Sequence, residues 1–131
     1  MKAINAWFDT IEVATTWSNL PQLYRGFKKE LGGVPGVVGV LAHASHIYTS
    51  GACIYFTVVF SQDEQLYWKI WDTAARVCRD NHATLSHHHG VGLLKKKYVG
   101  EELGEVSLKI LSNLKRSLDK NRILNSELWL Q

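Results

Sequence analysis

The sequence predicts an α+β domain of ferredoxin-like type. The predicted order is β-α-β-β-α-β in an antiparallel sheet with both helices on one face, followed by a C-terminal helix and tail. Three observations predict it: two helical apolar stripes closed by turn residues, a hairpin of two β-rich runs between them, and a third stripe near the C-terminus. The chain has 131 residues, within the range of one domain. Hydrophobic residues make up 46% and charged residues 21%, which excludes a disordered chain or a disulfide scaffold. Fifteen Lys and Arg against twelve Asp and Glu leave a net charge of +3, too mild to imply nucleic acid.

The first strand is expected near 8–14, where Ile11-Glu12-Val13 alternates. Ser18 is the expected N-cap of the first helix, with Pro21 in its first turn. Leu20, Leu23, Tyr24, Phe27 and Leu31 recur at helical spacing, and Gly32-Gly33 is expected to end the helix in a left-handed cap. Residues 37–48 and 52–60 read as a hairpin across Thr49-Ser50-Gly51. Ile54, Phe56, Val58 and Phe60 share one face of its second strand; Cys53, Tyr55, Thr57 and Val59 share the other. Ser61-Gln62-Asp63-Glu64 reads as a capping box before Leu66, Ile70, Ala74, Val77 and Cys78, so 62–80 is the second helix. Residues 83–87 are the expected fourth strand. Glu101 to Lys120 is the third helix, with Leu103, Val106, Ile110, Leu114 and Leu118 on one side and charges matched to its dipole.

Helices on one face leave the other open, where Glu12, His46, Tyr55 and Thr57 are expected. Cys53 and Cys78 lie in apolar stretches without a CxxC and read as buried, reduced thiols of a cytoplasmic protein. No signal peptide is visible, and the apolar runs are too short to cross a bilayer.

The sharpest feature is Ser86-His87-His88-His89-Gly90-Val91-Gly92, three imidazoles beside a backbone that a ligand can approach closely. Metal binding is disfavoured at this point. Adjacent histidines in an extended segment point to opposite faces, so at most His87 and His89 share an ion, and no HExxH is present. Two histidines lie upstream at His43 and His46, and His82 just precedes the triplet.

Ser86–Gly92 is similar to the SHHHGVG segment of alkyldihydroxyacetonephosphate synthases, which belong to the vanillyl-alcohol-oxidase-like FAD-linked oxidases. Tyr48-Thr49-Ser50-Gly51-Ala52-Cys53-Ile54-Tyr55-Phe56 resembles a second stretch of that family, and Leu93-Leu94-Lys95-Lys96-Lys97-Tyr98 the segment after its histidines. Asp9-Thr10-Ile11-Glu12 with Trp17 resembles the opening of its C-terminal cap domain. Leu118 to Asn125 resembles its closing segment, with Lys120 where proline is usual.

The resemblance implies the cap alone over 1–131, with the FAD-binding N-terminal domain absent and supplied by another domain or chain, and weak or no FAD binding in isolation. The implied activity is ether lipid synthesis by a flavoprotein transferase. The acyl group of an acyl-dihydroxyacetone phosphate is exchanged for a fatty alcohol, with flavin N5 holding the dihydroxyacetone phosphate and no net redox. A proton next to a carbonyl must be removed and returned, and the resemblance gives that task to Tyr48. A phenol ordinarily keeps its proton to about pH 10, and cationic neighbours favour the phenolate. His88 and His89 are implied to act with Tyr48; His87, His88, His89 and Gly90 are implied to hold the cofactor, His87 with the weakest claim. The Lys95–Lys97 run reads as solvated surface.

The alternatives are the cap of an FAD-linked 2-hydroxy acid dehydrogenase, which usually carries Gly-Glu-His-Gly instead, and a non-enzymatic module that dimerises through its open sheet face. A homo-oligomer is compatible with each. In a ferredoxin-like sheet the ends of strands two and four lie at opposite edges. Tyr48 and the histidines therefore meet only if the open face carries the site or the histidines fold back.

Overall fold

Alternating apolar residues make three eleven-residue strands, and helical stripes make two helices that cover one side of them. The computed structural model describes residues 5–127. The elements are β1 (Ala6–Thr16), α1 (Leu20–Gly32), β2 (Val37–Ile47), β3 (Gly51–Ser61), α2 (Glu64–Asp80) and α3 (Val99–Leu118). The chain divides into two compact units, with the division between His87 and His88.

In the first unit β3 is the central strand of a three-stranded antiparallel sheet ordered β1-β3-β2. Ile54, Phe56, Val58 and Phe60 are buried, as are Ile11 and Val13 of β1. Leu23, Phe27 and Leu31 of α1 and Leu66, Ile70, Trp71 and Ala74 of α2 are buried as well. Phe27 stacks on Phe56 with ring centroids 4.2 Å apart, a contact worth about 0.5–1.5 kcal/mol beyond the area it buries. Cys53 and Cys78 are buried and form no disulfide.

The architecture is the expected α+β ferredoxin-like one, with local differences. Asn19, not Ser18, precedes α1, and no side-chain cap forms. Ser18 lies one position too early and its hydroxyl pairs with that of Thr16 at 3.0 Å. Gly33 is right-handed (φ −83°), so the left-handed residue of that turn is Gly36 (φ +94°). Ser61 does not cap α2, because it stays in the ladder opposite Ala6 and donates its N–H to Gly36 O. Asp63 caps instead, accepting from Gln65 N at 2.7 Å and Leu66 N at 3.1 Å.

The expected fourth strand shrinks to a single bridge. Ala14 and Thr84 exchange N–H···O bonds of 3.2 and 2.9 Å, on the edge of β1 that β3 does not occupy. Thr84 then uses its hydroxyl both to accept from Ser86 N (3.2 Å) and to donate to Ser86 O (3.1 Å). This local turn bends the chain away before a second ladder pair can form.

The second unit holds α3, which is broken at Gly104 (φ 75°, ψ 161°) rather than continuous. Its stripe of Leu103, Val106, Ile110, Leu114 and Leu118 is exposed. After α3, buried Asp119 ties down the tail: it pairs with Lys115 and accepts from Ile123 N at 3.0 Å and Leu124 N at 3.1 Å. The lysine run is not uniformly solvated, since Lys95 is buried while Lys96 and Lys97 are exposed. Among the described residues no helix is long and apolar enough to cross a membrane.

Candidate functional site

The open face of the sheet carries a polar group assembled from all three strands. Register sets its membership: Glu12 lies opposite Tyr55, and Thr10 opposite Thr57, whose hydroxyls meet at 3.2 Å. His43 pairs with Tyr55 on the other side. Strict alternation from His43 would next bring Ser45 to the open face and turn His46 away. A register shift between Ala44 and His46 puts His46 opposite Cys53 instead, because one extra residue in a strand flips the facing of every later residue. His43 and His46 both stand beside Tyr55, at 5.0 and 6.4 Å between ring centroids.

Glu12 is fully buried. A carboxylate in that position is costly unless it is paired and hydrogen-bonded. Its Oε1 lies 3.4 Å from His87 Nδ1 and 3.7 Å from Cys53 Sγ. Burial first, then the nearby Cys53 and Glu12, push the Tyr55 phenol above its ordinary pKa, so Tyr55 is a neutral wall of the site.

His87 reaches Glu12 because the Thr84 turn sends the chain back over the open face. Its ring comes within 5.9 Å of His46 and 5.4 Å of Tyr48. Tyr48 is half-exposed just beyond β2, and its turn is pinned. Trp17 Nε1 donates to Tyr48 O and Thr49 O at 3.1 and 3.2 Å, and Tyr48 N donates to Gly51 O at 2.9 Å. Within the first unit, therefore, Tyr48, His87 and Glu12 form one succession.

His88, His89 and Gly90 belong to the second unit. The rings of His88 and His89 meet edge to face at 4.6 Å, and both side chains are exposed. Gly90 is left-handed (φ +76°), with no described atom within 4 Å of where a Cβ would stand. Exposed imidazoles beside an unobstructed backbone leave room for a hydrogen-bonding ligand to approach.

His46, Cys53 and His87 each offer a ligand atom, and these atoms lie within 4.8 Å of one another. That nitrogen and sulfur set suits a soft divalent cation. It differs from the His87–His89 pairing that spacing alone allows, because the partners come from strands distant in sequence. Glu12 was legible only as an open-face residue; its contact with His87 has no signature in the linear order.

A family model described as FAD linked oxidases, C-terminal domain, matches residues 1–127. The chain belongs to that family. Alkyldihydroxyacetonephosphate synthase of Trypanosoma brucei brucei is 28% identical over 131 residues, covering 94% of this chain and 21% of that protein. Mitochondrial D-lactate dehydrogenase (cytochrome) of Kluyveromyces lactis is 27% identical over 123 residues, covering 94% and 20%. A solved alkyldihydroxyacetonephosphate synthase structure superposes with a TM-score of 0.54 at 25% identity, covering 73% of this chain and 18% of its own. The chain thus spans about a fifth of the length of the relatives it matches, and the family model it matches is that of a C-terminal domain.

Proposed function

We propose that this domain is the substrate-side part of a flavoenzyme that exchanges the acyl group of an acyl-dihydroxyacetone phosphate for a fatty alcohol. The observation that carries the proposal is the Tyr48–His87–Glu12 succession. The exchange needs a proton taken from the carbon beside a carbonyl and later returned, and Tyr48 is the general acid/base that moves it. His87, 5.4 Å from Tyr48 between ring centroids, stands beside the phenol and positions it. Glu12, 3.4 Å from His87 Nδ1, orients that ring. Both are positioning residues.

His88, His89 and the open backbone at Gly90 are the groups that would hold FAD. Bound FAD supplies the covalent anchor of the exchange without net redox. The rest of the FAD site comes from another domain or subunit, and the exposed α3 stripe from Leu103 to Leu118 is the surface we assign to that contact. Two buried cysteines outside any disulfide suit a reducing, cytoplasmic setting.

The test is Tyr48→Phe in a complex of this chain with a flavin domain. Turnover of acyl-dihydroxyacetone phosphate with fatty alcohol should fall by about 10²–10⁴-fold while the fold is kept. Undiminished turnover would remove Tyr48 from the mechanism. His87→Gln should shift the pH profile of the rate; an unchanged profile would deny it the positioning role.

A second reading rests on the D-lactate dehydrogenase relatives: the same domain would serve oxidation of a 2-hydroxy acid. Dye reduction by D-lactate in the same complex, without alcohol exchange, would select it.

A further inference from the structure

On the helix-covered side of the sheet, away from Glu12 and Tyr48, the start of β1 and the start of α2 border an open pocket of about 380 Å³. Register explains it. Trp7 lies opposite Phe60 on β3, and α2 begins four residues after Phe60, so its first turns stand over the same strand ends. The rings form a continuous wall. Trp7 meets Phe60 edge-on at 6.3 Å, Phe60 meets Tyr67 at 6.2 Å, and Tyr67 meets Trp68 edge-on at 5.2 Å. The ionised groups of the lining are two carboxylates, Asp9 and Glu64.

The sign of this charge is opposite to the chain's net +3, so it is a local feature rather than a sample of the surface. Asp9 is fixed: Oδ2 accepts from Trp71 Nε1 at 3.0 Å and Oδ1 from Thr10 N at 2.7 Å. Glu64 is exposed in the first turn of α2. Burial and then the Asp9 carboxylate raise the Tyr67 pKa, so its ring is that of a neutral phenol.

We propose that this pocket binds a quaternary ammonium group, with Trp7, Tyr67 and Trp68 as its aromatic walls and Asp9 and Glu64 as its counter-charges. Aromatic faces attract a cation through the ring quadrupole when it lies within about 6 Å of the centroid, and do so best when the cation is weakly hydrated. A trimethylammonium group meets that condition; a strongly hydrated metal ion does not. The volume is at the small end of ligand pockets and suits a headgroup rather than a whole lipid. The site uses none of the residues of the proposed exchange chemistry and stands independently of it.

The test is a titration of the full chain with choline, followed by tryptophan fluorescence, beside 3,3-dimethylbutan-1-ol, the neutral isostere of the same shape. Choline should bind saturably and at least about tenfold more tightly than the alcohol. Trp68→Ala and Glu64→Gln, both at exposed positions, should each weaken choline by about tenfold while leaving the circular dichroism spectrum unchanged. Equal binding of the alcohol, no saturation with choline, or choline binding unaffected by Trp68→Ala would overturn the proposal. Phosphatidylcholine and phosphatidylglycerol vesicles distinguish the source. Capture by the choline lipid alone identifies a membrane headgroup, and binding of free choline without vesicle capture identifies a soluble ligand.

Discussion

Gly51→Ala tests the link between strand register and the placement of Tyr48. A Cβ at Gly51 would lie 2.1 Å from Thr15 O and 2.9 Å from Thr15 C and Thr16 Cα. Carbon and carbonyl oxygen approach no closer than about 3.3 Å in ordinary strand contacts, so the two backbones must part by roughly 1 Å. That separation falls at the Thr16–Gly51 end of the β1–β3 ladder. Losing one ladder bond costs about 1 kcal/mol, and the forced shift adds about 1–3 kcal/mol. A total of about 2–4 kcal/mol lowers Tm by roughly 8–30 °C for a unit of this size. Gly39→Ala is the control: it also lies in a strand beside a register shift, but no described atom is within 4 Å of its added Cβ, and it should cost under about 0.5 kcal/mol. The assay is thermal and urea unfolding of both variants by circular dichroism. Equal stability of the two, within about 0.5 kcal/mol, would refute the close-approach reasoning. In the exchange assay Gly51→Ala should also lose activity before it unfolds, since its turn holds Tyr48 beside His87.

Trp71→Phe removes the indole donor from Asp9 inside the core and should destabilise by about 2–4 kcal/mol in urea unfolding; a loss below about 1 kcal/mol would show that the bond to this carboxylate contributes little. Asp119 is held below its ordinary pKa of 3.8, chiefly by Lys115 and then by the Ile123 and Leu124 N–H groups. A carboxyl depressed in this way stabilises the tail fully above the ordinary value, and that stabilisation is lost as pH falls through the lowered one. Amide-exchange protection at Ile123 and Leu124, relative to the intrinsic rate at each pH, should therefore be high at neutral pH and fall in acid. Asp119→Asn should remove that pH dependence, and an unchanged acid response would place the anchor elsewhere.

Local signals were the legible ones. The α1 and α2 stripes and the β2–β3 hairpin were readable because a periodic apolar face records which side must be buried. Caps were readable in kind but not in position: Ser61 has the right chemistry for a cap, yet β3 holds its backbone too early in the chain. The fourth strand failed for a similar reason, since Thr84 spends its hydroxyl on Ser86 and turns the chain. The α3 stripe was visible, but not its exposure or the break at Gly104, because periodicity does not tell what lies opposite.

The site divides along the same line. Glu12 and Tyr55 were placed on the open face by alternation, and Tyr48 and the histidine triplet by resemblance of local motifs. Their meeting was not in the linear order. It required a one-residue shift in β2 to turn His46 toward Cys53 and a side-chain turn at Thr84 to return His87 to a buried carboxylate 75 positions earlier. The sequence alone determined the periods, the turn chemistry and the family of this protein, because those depend on neighbours along the chain. Tertiary structure decided which imidazole stands beside the phenol and which carboxylates face an aromatic wall, because register and loop return depend on contacts between segments far apart in sequence.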